Sequence, residues 1–452
     1  MLKGMSVAAT TLGCKVNQAE TDSMLDMLKA AGANIVEFDE KADIYIVNTC
    51  SVTNIADKKS RQMLHRARKM NPDGIVIAAG CYVQSAREIL EQDEAIDIVI
   101  SNNKKKSITE IVNDYINVRN NGKNAPGKDH EAMEYFVDIS RETEYEEMGG
   151  HVPVGHTRAY LKIQDGCNQF CSYCIIPYVR GRIRSRSQEA ILAEVSELAE
   201  AGIKEVVLTG IHISSYGKDK NNEGALIELI EAISKIKGIK RIRLGSLEPG
   251  IITEEFVERI SSNSKVCPHF HLSLQSGCDS VLKRMNRKYT CKQYFEKCDM
   301  LRKAYKSPAL TTDVIVGFPG ETEEEFAETV RYLTELNLYE MHIFKYSPRK
   351  GTVAAAMKEQ VAPEIKNERS DVLLKLAHDN KTAYEAQFEG CELEVLVEEV
   401  VKKDNKTYLR GHTERYMDIL IDVGDISMPE SFVNSFVYVT YTQNGGNLPL
   451  LL

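Results

Sequence analysis

Between residues 158 and 375, six strand-like runs alternate with helix-like stretches, and this alternation restricts the segment to a parallel sheet flanked by helices. The runs are 159–163, 205–208, 241–244, 269–274, 310–316 and 340–344, with helices expected over 188–201, 225–235 and 323–336. Six βα units suggest a barrel or partial barrel, whose active residues gather at the carboxyl ends of the strands. Residues 1–116 repeat the α/β pattern, with strands expected at 6–11, 43–47, 75–79 and 97–100 and helices at 21–31 and 54–69. Residues 117–157 are rich in Asn, Gly, Lys and Glu, lack periodicity and read as a linker. From 379 to 445 short strands at 393–401, 406–411, 417–423 and 436–442 follow one another without a helix, as in a small all-β barrel. The expected division is therefore 1–116, 117–157, 158–378 and 379–445.

No apolar run approaches the roughly 18–20 residues of a membrane span, and the first ten residues lack a signal-peptide core. A cytoplasmic location is expected. In that reducing compartment a disulfide framework is not, yet the chain has 11 cysteines. Cys267, Cys278, Cys291, Cys298 and Cys391 read as buried apolar thiols. The other six occupy particular places. Cys167, Cys171 and Cys174 form a C-x3-C-x2-C loop directly after an expected strand. Three thiolates on one tight loop suit a four-iron cluster whose fourth iron stays open to a ligand. Zinc would ask for a fourth ligand and paired C-x2-C spacing, and the nearest histidine is His156. Cys14, Cys50 and Cys81 each close an expected parallel strand of the first domain. Carboxyl ends of parallel strands share one edge, so these three also converge, on a second cluster with an open iron.

The cluster loop resembles that of the radical S-adenosylmethionine superfamily. Together with Thr11–Gln18 (TLGCKVNQ), Asn48–Thr53 (NTCSVT), Gln275-Ser276-Gly277, Lys283–Arg287 (KRMNR) and Gly317–Glu321 (GFPGE), it makes the chain similar to the methylthiotransferases. These attach a methylthio group to an unactivated carbon. The segment after residue 379 resembles their small RNA-binding TRAM barrel, poorly so after Val423. Lys15-Val16-Asn17, with Val52-Thr53-Asn54, Lys345–Arg349 and Gly351-Thr352, most resembles the branch acting on threonylcarbamoyladenosine 37 of tRNA. Ser273 stands where that family has proline.

The resemblance implies two [4Fe–4S] clusters and two uses of S-adenosylmethionine. One molecule gives a methyl group to sulfur on the Cys14/Cys50/Cys81 cluster; another, cleaved at the Cys167 cluster, yields a 5′-deoxyadenosyl radical that abstracts hydrogen from adenine C2. A cofactor must do this, because side-chain acid–base chemistry cannot reach that bond. Cofactor-binding candidates are Tyr173 beside the adenine, Gly210, Ser246 and Glu248 for the ribose, Gln275 and Gly317. The implied partners are the tRNA anticodon stem-loop and a reductant such as flavodoxin or ferredoxin.

Arg180, Arg182, Arg184 and Arg186 would share one face of an extended segment, and Lys283 and Arg287 belong to a second basic group; both could hold RNA phosphates. A third basic run, Lys58 to Lys69, covers the helix after Cys50. The net charge of −9 excludes binding by bulk charge, and from Lys381 onward there are 12 acidic against 6 basic residues. An RNA contact there would need a local patch such as Arg410, His412 and Arg415, with Tyr408 or Tyr416 stacking on a base. Rival readings are a methylthiotransferase for isopentenyladenosine 37 or for a ribosomal-protein aspartate, and a non-catalytic iron–sulfur electron carrier.

Overall fold

The structure is a computed structural model that describes residues 2–120, 135–149, 157–404, 406–424, 428–443 and 445–447. The N-terminal region comprises β1 (Ser6–Thr11), α1 (Lys15–Ala30), β2 (Asn34–Val36), β3 (Ile44–Thr49), α2 (Asn54–Met70), β4 (Ile75–Gly80), α3 (Cys81–Ser85), α4 (Arg87–Glu91), β5 (Ile98–Ile100) and α5 (Ile108–Asn120). Its sheet has the order β2-β1-β3-β4-β5 and is parallel throughout. β3 and β4 are buried on both faces, which is why IYIVNT and IVIAAG carry no alternation.

The central region holds β6 (Arg158–Asp165), α6 (Ile176–Val179), β7 (Arg184–Ser185), α7 (Gln188–Glu200), β8 (Glu205–Gly210), α8 (Ala225–Ser234), β9 (Arg241–Leu244), α9 (Glu254–Ser261), β10 (His269–His271), α10 (Asp279–Arg284), α11 (Cys291–Ala304), β11 (Ala309–Val316), α12 (Glu323–Leu336), β12 (Glu340–Lys345) and α13 (Pro363–Ala386). One sheet runs β7-β6-β8-β9 and another β10-β11-β12, joined across β9 and β10 by the bridges Ile242–Val266 and Leu247–Leu272. Six parallel strands thus form the expected partial barrel. Alternate residues Leu161, Ile163, Val206, Leu208, Ile242, Leu244, Phe270, Leu272, Val314 and Val316 enter one core. The residues between them face the concave side and are mostly polar: Lys162, Gln164, Thr209, Arg243, His271, Asp313 and His342. Closed (β/α)8 barrels fill that space with branched apolar side chains; here it is a polar lumen.

β13 (Glu392–Lys403), β14 (Lys406–Thr413), β15 (Asp418–Asp422), β16 (Phe436–Thr442) and β17 (Gly445–Asn447) close into a barrel of order β13-β14-β15-β17-β16.

Three elements differ from the sequence reading. α1 begins at Lys15, not near residue 21, because its first turns bury Asn17 and Glu20 and so lack an apolar stripe. The 24-residue α13 was not expected and spans positions 378–379; it buries Arg369, Ser370 and Asn380 beside Leu373, and periodicity reads such a face as solvent. The described part of the expected linker packs closely: Ile139 is buried, the Glu146 carboxylate accepts the Lys106 N–H at 2.9 Å, and Tyr145 donates to the Lys162 carbonyl at 2.9 Å. Residues 121–134 and 150–156 lie outside the described residues.

α12 starts in a capping box, with the Thr322 hydroxyl accepting from Glu325 N and the Glu325 carboxylate accepting from Thr322 N. Thr322→Ala should cost about 1 kcal/mol, read by chemical denaturation, and Thr322→Ser should recover most of it.

Candidate functional site

The Cys167–Cys174 loop leaves the carboxyl end of β6 through Gly166, whose φ is +71° and where a Cβ would stand 1.8 Å from the Arg182 carbonyl oxygen, so only glycine fits. The loop is held by Cys167 N donating to the Gly181 carbonyl at 3.0 Å and Ser172 N donating to that of Met285 at 3.0 Å. All three thiols are free. Gln169 N points at Cys167 Sγ from 3.4 Å, and Arg287 Nη1 donates to Cys171 Sγ at 3.2 Å. Burial pushes the Cys167 thiol up to about 11 and Cys174 to about 12, so iron must displace these protons on binding.

Cys14, Cys50 and Cys81 follow β1, β3 and β4 in the sheet. Gly13 makes their approach possible: its φ is +105°, and a Cβ there would stand 2.8 Å from Cys50 Sγ. Cys81 opens α3 and packs against Ile175 and Val179, just beyond Cys174, so the two cysteine sets are neighbours. A tetrahedral zinc, with Zn–S near 2.3 Å, would draw its sulfurs to within ~4 Å of one another. Among the described residues neither set has its three sulfurs within 4.8 Å of one another. That wider spread, three free thiols per set and N–H donors on the sulfurs fit a polynuclear cluster at each.

Arg180, fully buried, joins the two sets. Its Nε donates to Cys81 Sγ at 3.3 Å, Nη2 to Asn17 Oδ1 at 2.5 Å, and Nη1 to Glu20 at 2.5 Å and Asp165 at 3.1 Å. Lys162 bridges the same two carboxylates at 2.7 Å each, and Lys105 also donates to Glu20. Burial alone would raise the Glu20 carboxyl; Arg180, Lys105 and Lys162 outweigh it and hold the group well below the usual carboxylate range. Asp165 is held low in the same way by Lys162, Arg180 and Arg184.

This network corrects the reading of a one-faced arginine strip. Arg180, Arg184 and Arg186 are buried; Arg184 faces Asp165 at 3.8 Å and Arg186 binds Glu147 and Glu194. Arg182 alone of the four is exposed, over the Phe170 ring at 4.4 Å. Arg287 turns inward, bonding Glu248 at 2.8 Å and the Ser273 carbonyl at 3.1 Å as well as Cys171, whereas Lys283 is exposed. On the C-terminal barrel Arg410 is paired with Asp418 and Glu399, His412 with Glu398, and Arg415 donates to the Ser307 carbonyl at 3.0 Å. Tyr416 is wedged between His269 and His412 with Arg243 on its ring, so that patch docks the barrel onto the central region rather than offering a free stacking platform.

The expected cofactor residues lie along the strand tops. Gly210 ends β8, where a Cβ would meet Ile213 at 2.9 Å. Glu248 lies 2.8 Å from Arg287 and 3.6 Å from His212; burial raises its carboxyl, but the nearby His212 and Arg287 bring it below normal. Ser246 is exposed. Gln275 takes a positive φ of 76° and pairs with β11 through Asp313 and Ile315. Gly317 N donates to Glu321 at 2.7 Å, and Tyr173 packs with Phe318, Tyr346 and Met285. His212, Glu248, Gln169 and Tyr289 line a cavity of about 470 Å³ beside the cluster loop. A second cavity, of about 680 Å³, reaches Cys14 and Lys15 between α1, β6 and the C-terminal barrel. There burial, Arg158 and Arg243 lower the Lys15 amine to about 8.

Removing Arg180 would leave the buried pair Glu20 and Asp165 with only Lys162, Lys105 and Arg184 to balance them, so Arg180→Met should destabilise in urea unfolding, by up to about 3–5 kcal/mol. Labelling of Lys15 by an acylating reagent should rise through about pH 8 rather than near 10.5, followed by peptide mass spectrometry.

The Radical SAM superfamily profile matches residues 161–333, and that of Uncharacterized protein family UPF0004 matches residues 6–101. The chain is 40% identical to the threonylcarbamoyladenosine tRNA methylthiotransferase MtaB of Bacillus subtilis, over 92% of this chain and 90% of that one. It is 38% identical to the protein of the same description from Aquifex aeolicus, covering 92% and 98%. With the tRNA-2-methylthio-N(6)-dimethylallyladenosine synthase of Thermoanaerobacter pseudethanolicus it shares 35% identity, covering 96% and 90%. In fold it is similar to a radical S-adenosylmethionine methyltransferase from Kitasatospora setae, with a TM-score of 0.55 at 15% identity over 76% and 77% of the two chains. The chain belongs to the radical S-adenosylmethionine tRNA methylthiotransferases, transferases that work with [4Fe–4S] chemistry and S-adenosylmethionine.

Proposed function

We propose that this enzyme adds a methylthio group to C2 of N6-threonylcarbamoyladenosine 37 in the tRNA anticodon loop, using one cluster on Cys167, Cys171 and Cys174 and a second on Cys14, Cys50 and Cys81. The observation that carries this reading is the Arg180 junction, which packs two separate three-thiol sets against each other beside one polar lumen. The threonylcarbamoyl substituent is supported by the description of the 40% and 38% identical relatives and by Lys15, which lines the same cavity as Cys14.

When bound, the open-iron clusters supply the oxidising radical and the sulfur site that side chains lack. The chain's own residues then bind and orient. Glu248, fixed by Arg287 and His212, offers a carboxylate to ribose hydroxyls or an amino group at the rim of the smaller cavity. Gly210 and Gly317 let the strand tops pack closely against Ile213 and Lys366, and Gln275, Ser246 and Tyr173 stand around the same strand tops. Arg182, Lys283 and the exposed face of α2, with Lys58, Lys59, Arg61 and Lys69, provide the cationic rim for tRNA phosphates. A flavodoxin or ferredoxin in the cytoplasm would supply the electron.

Nucleoside mass spectrometry of total tRNA from a deletion strain, with and without the gene restored, tests the substrate. Loss and recovery of the methylthio form of threonylcarbamoyladenosine is expected. Loss from the isopentenyl nucleoside instead would move the enzyme to the other tRNA branch, and no change in tRNA would overturn the reading. Alanine at either cysteine set should each remove about half the iron of the reconstituted protein, as four irons belong to each set, and both should abolish product.

A further inference from the structure

The lumen contains a cluster of metal-type ligands that neither cysteine set uses. His271 on β10, Asp313 on β11 and His342 on β12 lie on the same concave face, with His271 registered opposite Thr311 and Asp313 opposite His342. One ligand atom from each falls within 4.8 Å of the other two. The His271 and His342 rings are stacked at 5.9 Å and 25°. His271 Nδ1 is 3.0 Å from Thr311 Oγ1. With Nδ1–H donating to that hydroxyl, Nε2 keeps its lone pair, the arrangement found behind metal-bound histidines. Nε2 is buried and makes no hydrogen bond, although Asp313 Oδ2 is only 3.4 Å away. An exposed His342 completes the set from the edge strand, with a ring nitrogen within 4.8 Å of the ligand atoms of the other two.

We infer that His271, Asp313 and His342 form a site for one divalent transition-metal ion. Two imidazoles and one carboxylate on a single face are a facial ligand set that suits Zn²⁺, Fe²⁺ or Mn²⁺ and leaves coordination positions open. Those positions point into the lumen, where an oxygen donor such as a carboxylate or water would complete the shell. The site stands apart from the cysteine ligands and does not depend on which nucleoside is the substrate.

Cluster-reconstituted enzyme, passed over a chelating resin, is titrated with Mn²⁺ while the six-line spectrum of the free ion is followed by electron paramagnetic resonance. Thiolates already holding iron are poor ligands for this hard ion. One Mn²⁺ per chain should be withdrawn from the free signal and released again by Zn²⁺. His342→Phe, a β-compatible change at an exposed strand position, and the near-isosteric Asp313→Asn should each weaken Mn²⁺ and Zn²⁺ binding at least tenfold with iron content unchanged. Retention of both ions by the variants at wild-type affinity, or failure of the wild type to bind either, would overturn the site.

Discussion

Arg180 is the interaction on which the rest of the structure depends. A guanidinium fully removed from water is tolerated only where every face is answered, and here the answers come from both α/β regions: Asn17 and Glu20 from α1, Cys81 from β4–α3, and Asp165 from the strand that launches the cluster loop. A bidentate, planar donor imposes geometry as well as attraction. Holding α1 against β6 through it fixes where Cys14 and Cys81 stand relative to Cys174. The desolvation this costs gives no direct gain in stability. What it secures is the registration of two thiol sets that belong to different sheets.

The second constraint is the inverted polarity of the partial barrel. Leu161, Val206, Ile242, Phe270 and Val314 point outward to the helices, so the lumen is left to Lys162, Arg243, His271, Asp313 and His342. Part of that face is consumed by the Glu20 network. The remainder lies along β10, β11 and β12 below Glu248 and Arg287. A polar interior suits a nucleoside and S-adenosylmethionine, both rich in hydrogen-bonding groups, and the shielding regions keep bulk water away from radical chemistry.

The alternation of apolar runs with helices revealed both parallel sheets and the final barrel, because β3, β4 and β8 are buried runs bounded by glycine or asparagine. Cys14, Cys50, Cys81 and Cys167 each follow the end of a parallel strand, with Cys171 and Cys174 on the loop after Cys167. Elements whose buried faces are polar were not legible. The start of α1 and the whole of α13 present Asn17, Glu20, Arg369 and Asn380 inward, and periodicity assigns such residues to solvent. The arginines failed in the same way. Spacing put Arg180, Arg184 and Arg186 on a basic strip, but their acidic partners Glu20, Asp165, Glu147 and Glu194 are as many as 160 residues away in the chain. Arg287 is a related case: its basic neighbours suggested phosphate binding, while Cys171 and Glu248 claim it.

The central claim is that both thiol sets carry iron within one interdomain space. An anaerobic crystal structure of the reconstituted enzyme, with anomalous scattering recorded across the iron edge, tests it most directly. The account predicts two iron peaks, one against Cys167, Cys171 and Cys174 and one against Cys14, Cys50 and Cys81, on either side of the Arg180 junction. A single peak at the Cys167 loop, with Cys14, Cys50 and Cys81 remaining free thiols, would contradict it.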